Sequence, residues 1–414
     1  MTGNSPTLSH LPYFEQIATL EEGSAEFRAV SAGLVTLRLF DDWVMHGSHV
    51  TAEHAWGARA VRESVEAMDE RTTSRALLMS VVEAMDPDAP FARLSFVLPR
   101  LMAYARALQF DGAWALAAEV YRTILAHAHP LIDADAVITS NLQLAASLRV
   151  LAQWDEAWQA YGNAGEVAAL TGDIMNMLKA RIGEANVFTD RGNIPEAERI
   201  LDQTIADAEQ LGLKEVRALA LHDRAHTAHR RGDYDAAVAM QYVALRDTRP
   251  GSSRDRVLAD LAASFFEIGL RTAARDANLV LAATAQEQFV RWSATINLME
   301  LASADGFEPV FEQYRRELAS APLPPWLSAW YFFYVGQGYR MFHRLEQARA
   351  SLERALEIAQ RYDLNQVVFH AEHALGDLKD GVHIVVPTAP ATSPMVAEAA
   401  DGVRRMRELA GIGE

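Results

Sequence analysis

Three histidines recur at offsets of four and seven in the run His222-Asp-Arg-Ala-His226-Thr-Ala-His229. On a helix those offsets place all three imidazoles on one face, while Ala225 and Ala228 fall on the other, where small side chains permit close packing. Two imidazoles one turn apart suit zinc or another borderline metal. A metalloprotease helix would place a Glu directly after the first histidine, which is absent here, and no third ligand is visible from another segment. The run therefore reads as hydrogen-bonding and stacking groups along a helix face, with Asp223 at its edge. Metal ligation by His222 and His226 is kept as the lesser alternative.

Other arrangements with chemical potential are weaker. Gly336-Gln-Gly338 lacks the preceding strand that a dinucleotide fingerprint needs. His370 and His373 are three residues apart on a closing helix and read as surface, while His127 and His129 fall at a helix end, where a cation complements the dipole. No Ser/His/Asp set includes a nucleophile elbow, and the chain contains no cysteine, which excludes thiolate metal sites, disulfides and cysteine nucleophiles. The sequence implies neither an enzyme nor a cofactor.

The elements that must position these residues come from a repeat. Short punctuations recur: Gly112-Ala-Trp114-Ala-Leu-Ala117, Ala152-Gln-Trp154-Asp-Glu-Ala157, Gly192-Asn-Ile194-Pro-Glu-Ala197, Gly232-Asp-Tyr234-Asp-Ala-Ala237 and Gly269-Leu-Arg-Thr-Ala-Ala274. Two looser copies follow, Asp305-Gly-Phe307-Glu-Pro-Val310 and His343-Arg-Leu345-Glu-Gln-Ala348. Their last residues are spaced by 40, 40, 40, 37, 36 and 38. Each unit predicts two helices around a tight turn, as in the helical spacing of Leu345, Ala348, Leu352, Ala355 and Ile358. Small residues twelve apart, such as Ala145 and Ala157 or Ala185 and Ala197, let the two helices approach, and Tyr121 and Tyr161 fill the gap to the next pair.

This pattern resembles the tetratricopeptide repeat family through the Gly–x–aromatic–x–x–Ala turn, the small residue twelve earlier and the aromatic four later, over about 92–380. The family's usual repeat has 34 residues, and the longer period here implies helices about a turn longer. Long repeats are similar to the sensor domains of bacterial signal-transduction regulators of the maltose-activator type. The resemblance implies an all-α, right-handed superhelical solenoid with helical caps, whose first helices line a concave groove. That face would carry Lys179, Asn186, His222, His226, His229, Arg256, Asp260, Trp330, Phe333, Gln337 and Arg340. Asn can pair with both groups of a peptide bond and Arg can grip a carboxylate with two donors. Within the aromatic stretch Trp326–Tyr334, Trp330 and Phe333 are read either as groove residues or as core between the last hairpins. The carboxylate clamp of chaperone cofactors is not reproduced.

Composition narrows the partner. The 414 residues carry 38 basic and 55 acidic side chains, net −17, so a general nucleic-acid binder is not expected. No stretch is long and apolar enough to span a membrane, and residues 1–20 lack the form of a signal peptide, so a cytoplasmic location is expected. The expected organisation is an N-terminal helical cap and degenerate repeat over 1–91, about seven hairpins plus a capping helix over 92–380, and a Pro/Ala/Thr linker with a short helix over 381–414. That last helix reads as a frayed tail before it reads as a tethered docking peptide. The functional expectation is a non-enzymatic scaffold or adaptor holding a protein or peptide in the groove. A ligand- or peptide-sensing regulator is the alternative, and a histidine-site metal enzyme is a third.

Overall fold

The computed structural model describes residues 9–46, 52–86, 93–362, 364–381 and 393–413. The Pro/Ala/Thr linker expected within 386–394 lies mostly outside the described residues. Among those described, all regular structure is helical. Four helices come first: α1 (Leu11–Thr19), α2 (Ala25–His46), α3 (Ala52–Glu66) and α4 (Thr73–Ala84). Seven hairpins follow. They pair α5 (Leu94–Phe110) with α6 (Trp114–His127), α7 (Ala134–Val150) with α8 (Trp154–Thr171), and α9 (Ile174–Asp190) with α10 (Ile194–Gln210). Next come α11 (Lys214–Arg230) with α12 (Tyr234–Asp247), α13 (Ser252–Glu267) with α14 (Arg271–Thr284), α15 (Gln288–Ala304) with α16 (Glu308–Ala319), and α17 (Pro325–Met341) with α18 (Leu345–Arg361). The chain closes with α19 (Asn365–Asp380) and α20 (Pro394–Leu409). Contacts group it into two compact units, Met1–Ala197 and Glu198–Glu414.

The turns explain the punctuation. In all seven hairpins the first helix ends on a left-handed residue: Gly112, Gly192, Gly232, Gly269 and Gly306 at φ between 75° and 81°, Ala152 at 55° and His343 at 59°. The next residue's N–H then donates back to a carbonyl five positions earlier, as Asp233 does to Ala228 at 2.9 Å and Arg344 to Tyr339 at 2.8 Å. This closes the orphan carbonyls of the helix end. Glycine adopts the conformation without a Cβ clash, whereas Ala152 and His343 hold it at a cost of about 1–2 kcal/mol each.

Close approach follows from the small residues. Ala145, Ala157, Ala185, Ala197, Ala225 and Ala237 are all fully buried. Tyr161 lies flat on Gly183, where a Cβ would fall 2.1 Å from its ring. Stacking continues because first helices of successive hairpins also meet, α5 with α7 and α7 with α9 in the first unit, α13 with α15, α15 with α17 and α17 with α19 in the second.

The last helix is not frayed. In α20, Val396, Ala399 and Val403 are fully buried, and the helix packs on α12 and α14. Gly402 lets it lie against Tyr242, and Arg407 pairs with Asp276 at 3.1 Å, both side chains 7% exposed. Each buried valine contributes roughly 1.5–3 kcal/mol of transfer free energy, enough to hold a helix too short to persist alone.

Candidate functional site

The repeat gives each first helix the same register. Asn186, His226, Glu300 and Gln337 each lie six residues before the left-handed turn residue of their hairpin, at Gly192, Gly232, Gly306 and His343. The residues proposed from sequence divide between the units. Lys179 and Asn186, both half-buried, sit on α9 in the first unit. The other nine sit on α11, α13 and α17 in the second.

Between α11 and α13 the polar groups meet one another. His222 Nε2 lies 2.6 Å from Asp260 Oδ2, and His229 Nδ1 lies 3.1 Å from Ser264 Oγ. Burial pulls the His222 pKa down, but the hydrogen bond to Asp260 and the charges of Asp260 and Asp223 outweigh it, and the net shift is upward. His226, exposed between them, is shifted downward by desolvation against the opposing charges of Asp260 and Asp223. His229 also meets Tyr234 edge-on, with ring centres 4.9 Å apart. Arg256 reaches Glu287 at 3.6 Å. Among the described residues, no three His, Asp or Glu side chains converge as metal ligands.

Along α17 the proposed residues part company. Phe333 is 7% exposed and packs with Leu352, Ala355, Ala371 and Ala374, so it is core between α17, α18 and α19. Arg340 is buried: its guanidinium donates to Gln337 Oε1 at 2.9 Å and lies 3.7 Å from Asp377 on α19. Its donors are committed within the chain rather than held out to a ligand. Trp330 is half-buried and stacks on Tyr334 with ring centres 5.7 Å apart, while His370 of α19 lies 5.6 Å from the same indole.

On α15, which packs against α17, sits a carboxylate that the sequence reading did not single out. Glu300 on α15 is half-buried by area. Desolvation first, and then the charge of Glu267 on α13, push its pKa up to about 8. Tyr334 is raised above its ordinary value, chiefly by the charge of Glu300, then by burial and Glu267. Glu267, Glu300 and Tyr334, on the successive first helices α13, α15 and α17, thus influence one another electrostatically. The signal was the repeat phase, since Glu300 occupies the position that holds His226 two hairpins earlier.

In the first unit, a crevice of about 550 Å³ opens between α8 and α9, lined by Trp158, Gly162, Gly165, Arg181 and Glu184. Sequence also missed a buried network there. His10 Nε2 lies 2.9 Å from Asp41 Oδ2, His10 Nδ1 lies 3.1 Å from Glu119 Oε1, and His127 Nε2 lies 2.8 Å from Asp41 Oδ1. A neutral imidazole has one N–H, yet both ring nitrogens of His10 face carboxylates. Burial opposes its charge, but the bonds to Asp41 and Glu119 raise its pKa to about 9. His127 thus reaches a side chain on α2 instead of only complementing its own helix end.

No family model and no curated protein matches the sequence. The chain is similar to solved structures of TPR-like repeat proteins. One is a Rap protein complexed with Competence and Sporulation Factor: 13% identity, 86% of this chain and 99% of that one, TM-score 0.46. Another is the Rap conjugation gene regulator of the plasmid pLS20 in complex with the Phr* peptide: 11% identity, 93% and 99% covered, TM-score 0.44. A third is a Podosopora anserina putative kinesin light chain with nearly identical TPR-like repeats: 18% identity, 46% and 95% covered, TM-score 0.37. These are likenesses of helical-repeat architecture, and the chemistry of the site rests on this chain's own residues.

Proposed function

We propose that the chain is a non-enzymatic scaffold or adaptor that holds a peptide or an extended protein segment on the first helices of its second unit. One observation carries this reading. The first helices α11, α15 and α17 carry polar or aromatic side chains (His226, Glu300, Gln337 and Trp330) at matching register, outside the close-packed alanine face of each hairpin. Such an array offers backbone-directed hydrogen bonds and ring surfaces at regular intervals, which an extended peptide can follow. A net charge of −17 favours a peptide over a nucleic acid. Among the described residues no helix is long and apolar enough to cross a membrane. The test is retention of a random hexapeptide library on the immobilised protein, read by mass spectrometry. Wild type should enrich peptides that His226→Ala/Trp330→Ala does not retain, with helix content unchanged by circular dichroism. A library that passes through wild type unretained would reject the proposal.

The crevice between α8 and α9 favours a second reading, a regulator that senses a small ligand. Its volume of about 550 Å³ falls in the ordinary range for ligand pockets. A Gly165→Leu substitution would fill it and abolish a metabolite-dependent rise in Tm, whereas the peptide reading predicts no effect on peptide retention.

A further inference from the structure

The last helix is placed where it can act on the repeat. α20 bridges the second helices of two consecutive hairpins, α11–α12 and α13–α14, with Val396, Ala399 and Val403 buried against α12 and α14. It is tied to both. Gly402 lies on Tyr242 of α12, where a Cβ would fall 2.2 Å from the phenol oxygen. Arg407 pairs with Asp276 of α14 at 3.1 Å. A crevice of about 420 Å³ stays open along its edge, lined by Arg275, Asp276, Asp401 and Arg404. The helix is therefore held at a few points rather than along its whole length. Its 16 residues are marginal as a helix in water, so it docks and folds as a unit.

The joint that α20 crosses differs from its neighbours. First helices pack directly at α5–α7 and α7–α9 in the first unit, and at α13–α15, α15–α17 and α17–α19 in the second. Among the described residues α11 and α13 stand farther apart, and the His222–Asp260 and His229–Ser264 pairs bridge the gap between them. α13 rests instead on α12. The chain passes from α12 to α13 at Gly251, with φ 143° and ψ −177°, a conformation essentially reserved for glycine. The α12–α13 contact is thus a pivot with a glycine hinge beside it. Two hairpins that rock on a pivot part on one side as they are drawn together on the other.

We propose that α20 is a strap that holds these two hairpins together on their second-helix side and so keeps α11 and α13 apart on their first-helix side. Released, it lets the hairpins rock about the α12–α13 contact until α11 and α13 pack as the other first helices do. The gap between α11 and α13 is then under the control of the C-terminal helix, and whatever draws α20 off its seat closes it. This regulation goes beyond the peptide-binding reading and does not depend on it.

The experiment uses the full chain, which has no cysteine of its own. His226→Cys and Ala263→Cys introduce a pair at exposed positions of α11 and α13, between the two bridging contacts. Spin labels on that pair report the gap by pulsed electron paramagnetic resonance, and amide exchange over 394–409 reports docking. Gly402→Leu drives a side chain into Tyr242 and should release α20, raising its exchange toward that of a free peptide and shifting the label separation to shorter values. Val403→Asp, which puts a charge into the seat, should do the same. The reverse arm leaves α20 and its seat untouched. Oxidising the two cysteines to a disulfide closes the gap and should speed exchange in α20 by about tenfold or more, the usual size of a coupling between two sites. The disulfide should also form faster by a like factor once α20 is released. A separation that stays the same or lengthens on release would overturn the strap. So would a disulfide that forms equally fast in both backgrounds, or one that leaves α20 protected. Protection that survives both substitutions, or is absent from the wild type, would overturn the seat itself.

Discussion

Between α11 and α13 the polar side chains answer one another: His222 meets Asp260 and His229 meets Ser264, and from α13 Arg256 reaches Glu287 at the start of α15. Farther along, from α13 through α19, the charge of Glu267 raises the pKa of Glu300 instead of pairing with it, while Arg340 is turned to Gln337 and Asp377. The helices, turns and register are alike in both stretches. What differs is whether complementary charges fall on neighbouring first helices. A face that satisfies itself contributes to stability, and under the proposed function a face that does not is left to satisfy a ligand. The two stretches should therefore respond differently to mutation: the first in stability and pH dependence, the second in binding.

The largest effect should come from removing the support under the aromatic stretch. Phe333→Ala deletes a 7% exposed ring and should cost about 3–5 kcal/mol in urea unfolding. Trp330→Ala, on the half-buried partner, should cost less than half as much while abolishing peptide retention. Equal costs would mean that both rings are core. Next comes the network of the first unit, a self-satisfied site like that between α11 and α13 but with its central imidazole buried. His10 is 3% exposed and its pKa is raised from 6.5 to about 9. Its contribution, about 3 kcal/mol at most, should be complete below pH 6.5 and disappear as pH rises toward 9. His10→Gln should flatten that slope in denaturant titrations across pH 6–9.

A smaller effect of the same sign belongs to His222. A double-mutant cycle of His222→Gln with Asp260→Asn should give about 1–2 kcal/mol of coupling below pH 6.5, since a hydrogen bond to a charged group is worth about 1.5–3 kcal/mol and the exposure of Asp260 screens part of it, and the coupling should fall as pH rises through the raised pKa. His226 has the opposite sign. Its pKa is lowered, so the unfolded chain binds the proton more readily and stability falls as pH drops below 6.5. A cycle independent of pH would place the His222–Asp260 pair outside this comparison. The smallest effect should come from the turns, which both stretches share. Ala152→Gly should raise stability by about 0.5–1 kcal/mol by relieving a left-handed alanine, its gain cut by glycine's greater freedom when unfolded.

Much of this was legible before any coordinates. The turn residues were readable because a left-handed helix end demands glycine or a small set of substitutes, so Gly192 and Gly232 repeat at the hairpin period. The buried alanines were readable because close approach of two helices leaves no room for more. The site was legible only in part. Phase placed His222 and Asp260 on successive first helices, but not the direction in which each side chain turns. Arg340 was read as a grip for carboxylate because Asp377, 37 residues later, could not be seen to meet it. Phe333 was ambiguous because α17 is aromatic on several sides, and only α18 and α19 decide which side is core. The network at His10 was missed, and the docking of α20 ranked second to a frayed tail, for the same reason: their partners lie far away in sequence, at Glu119 and at Asp276.

The most direct test of the binding face is site-specific photocrosslinking. A benzoylphenylalanine replaces His226 on the first-helix face of the second unit or, in a separate variant, the exposed Arg316 on the second helix α16. Each is irradiated with the peptides that wild type retains. Crosslinks from position 226, competed by unlabelled peptide and absent from position 316, are the predicted result. Crosslinks from position 316 with none from position 226 would contradict the account.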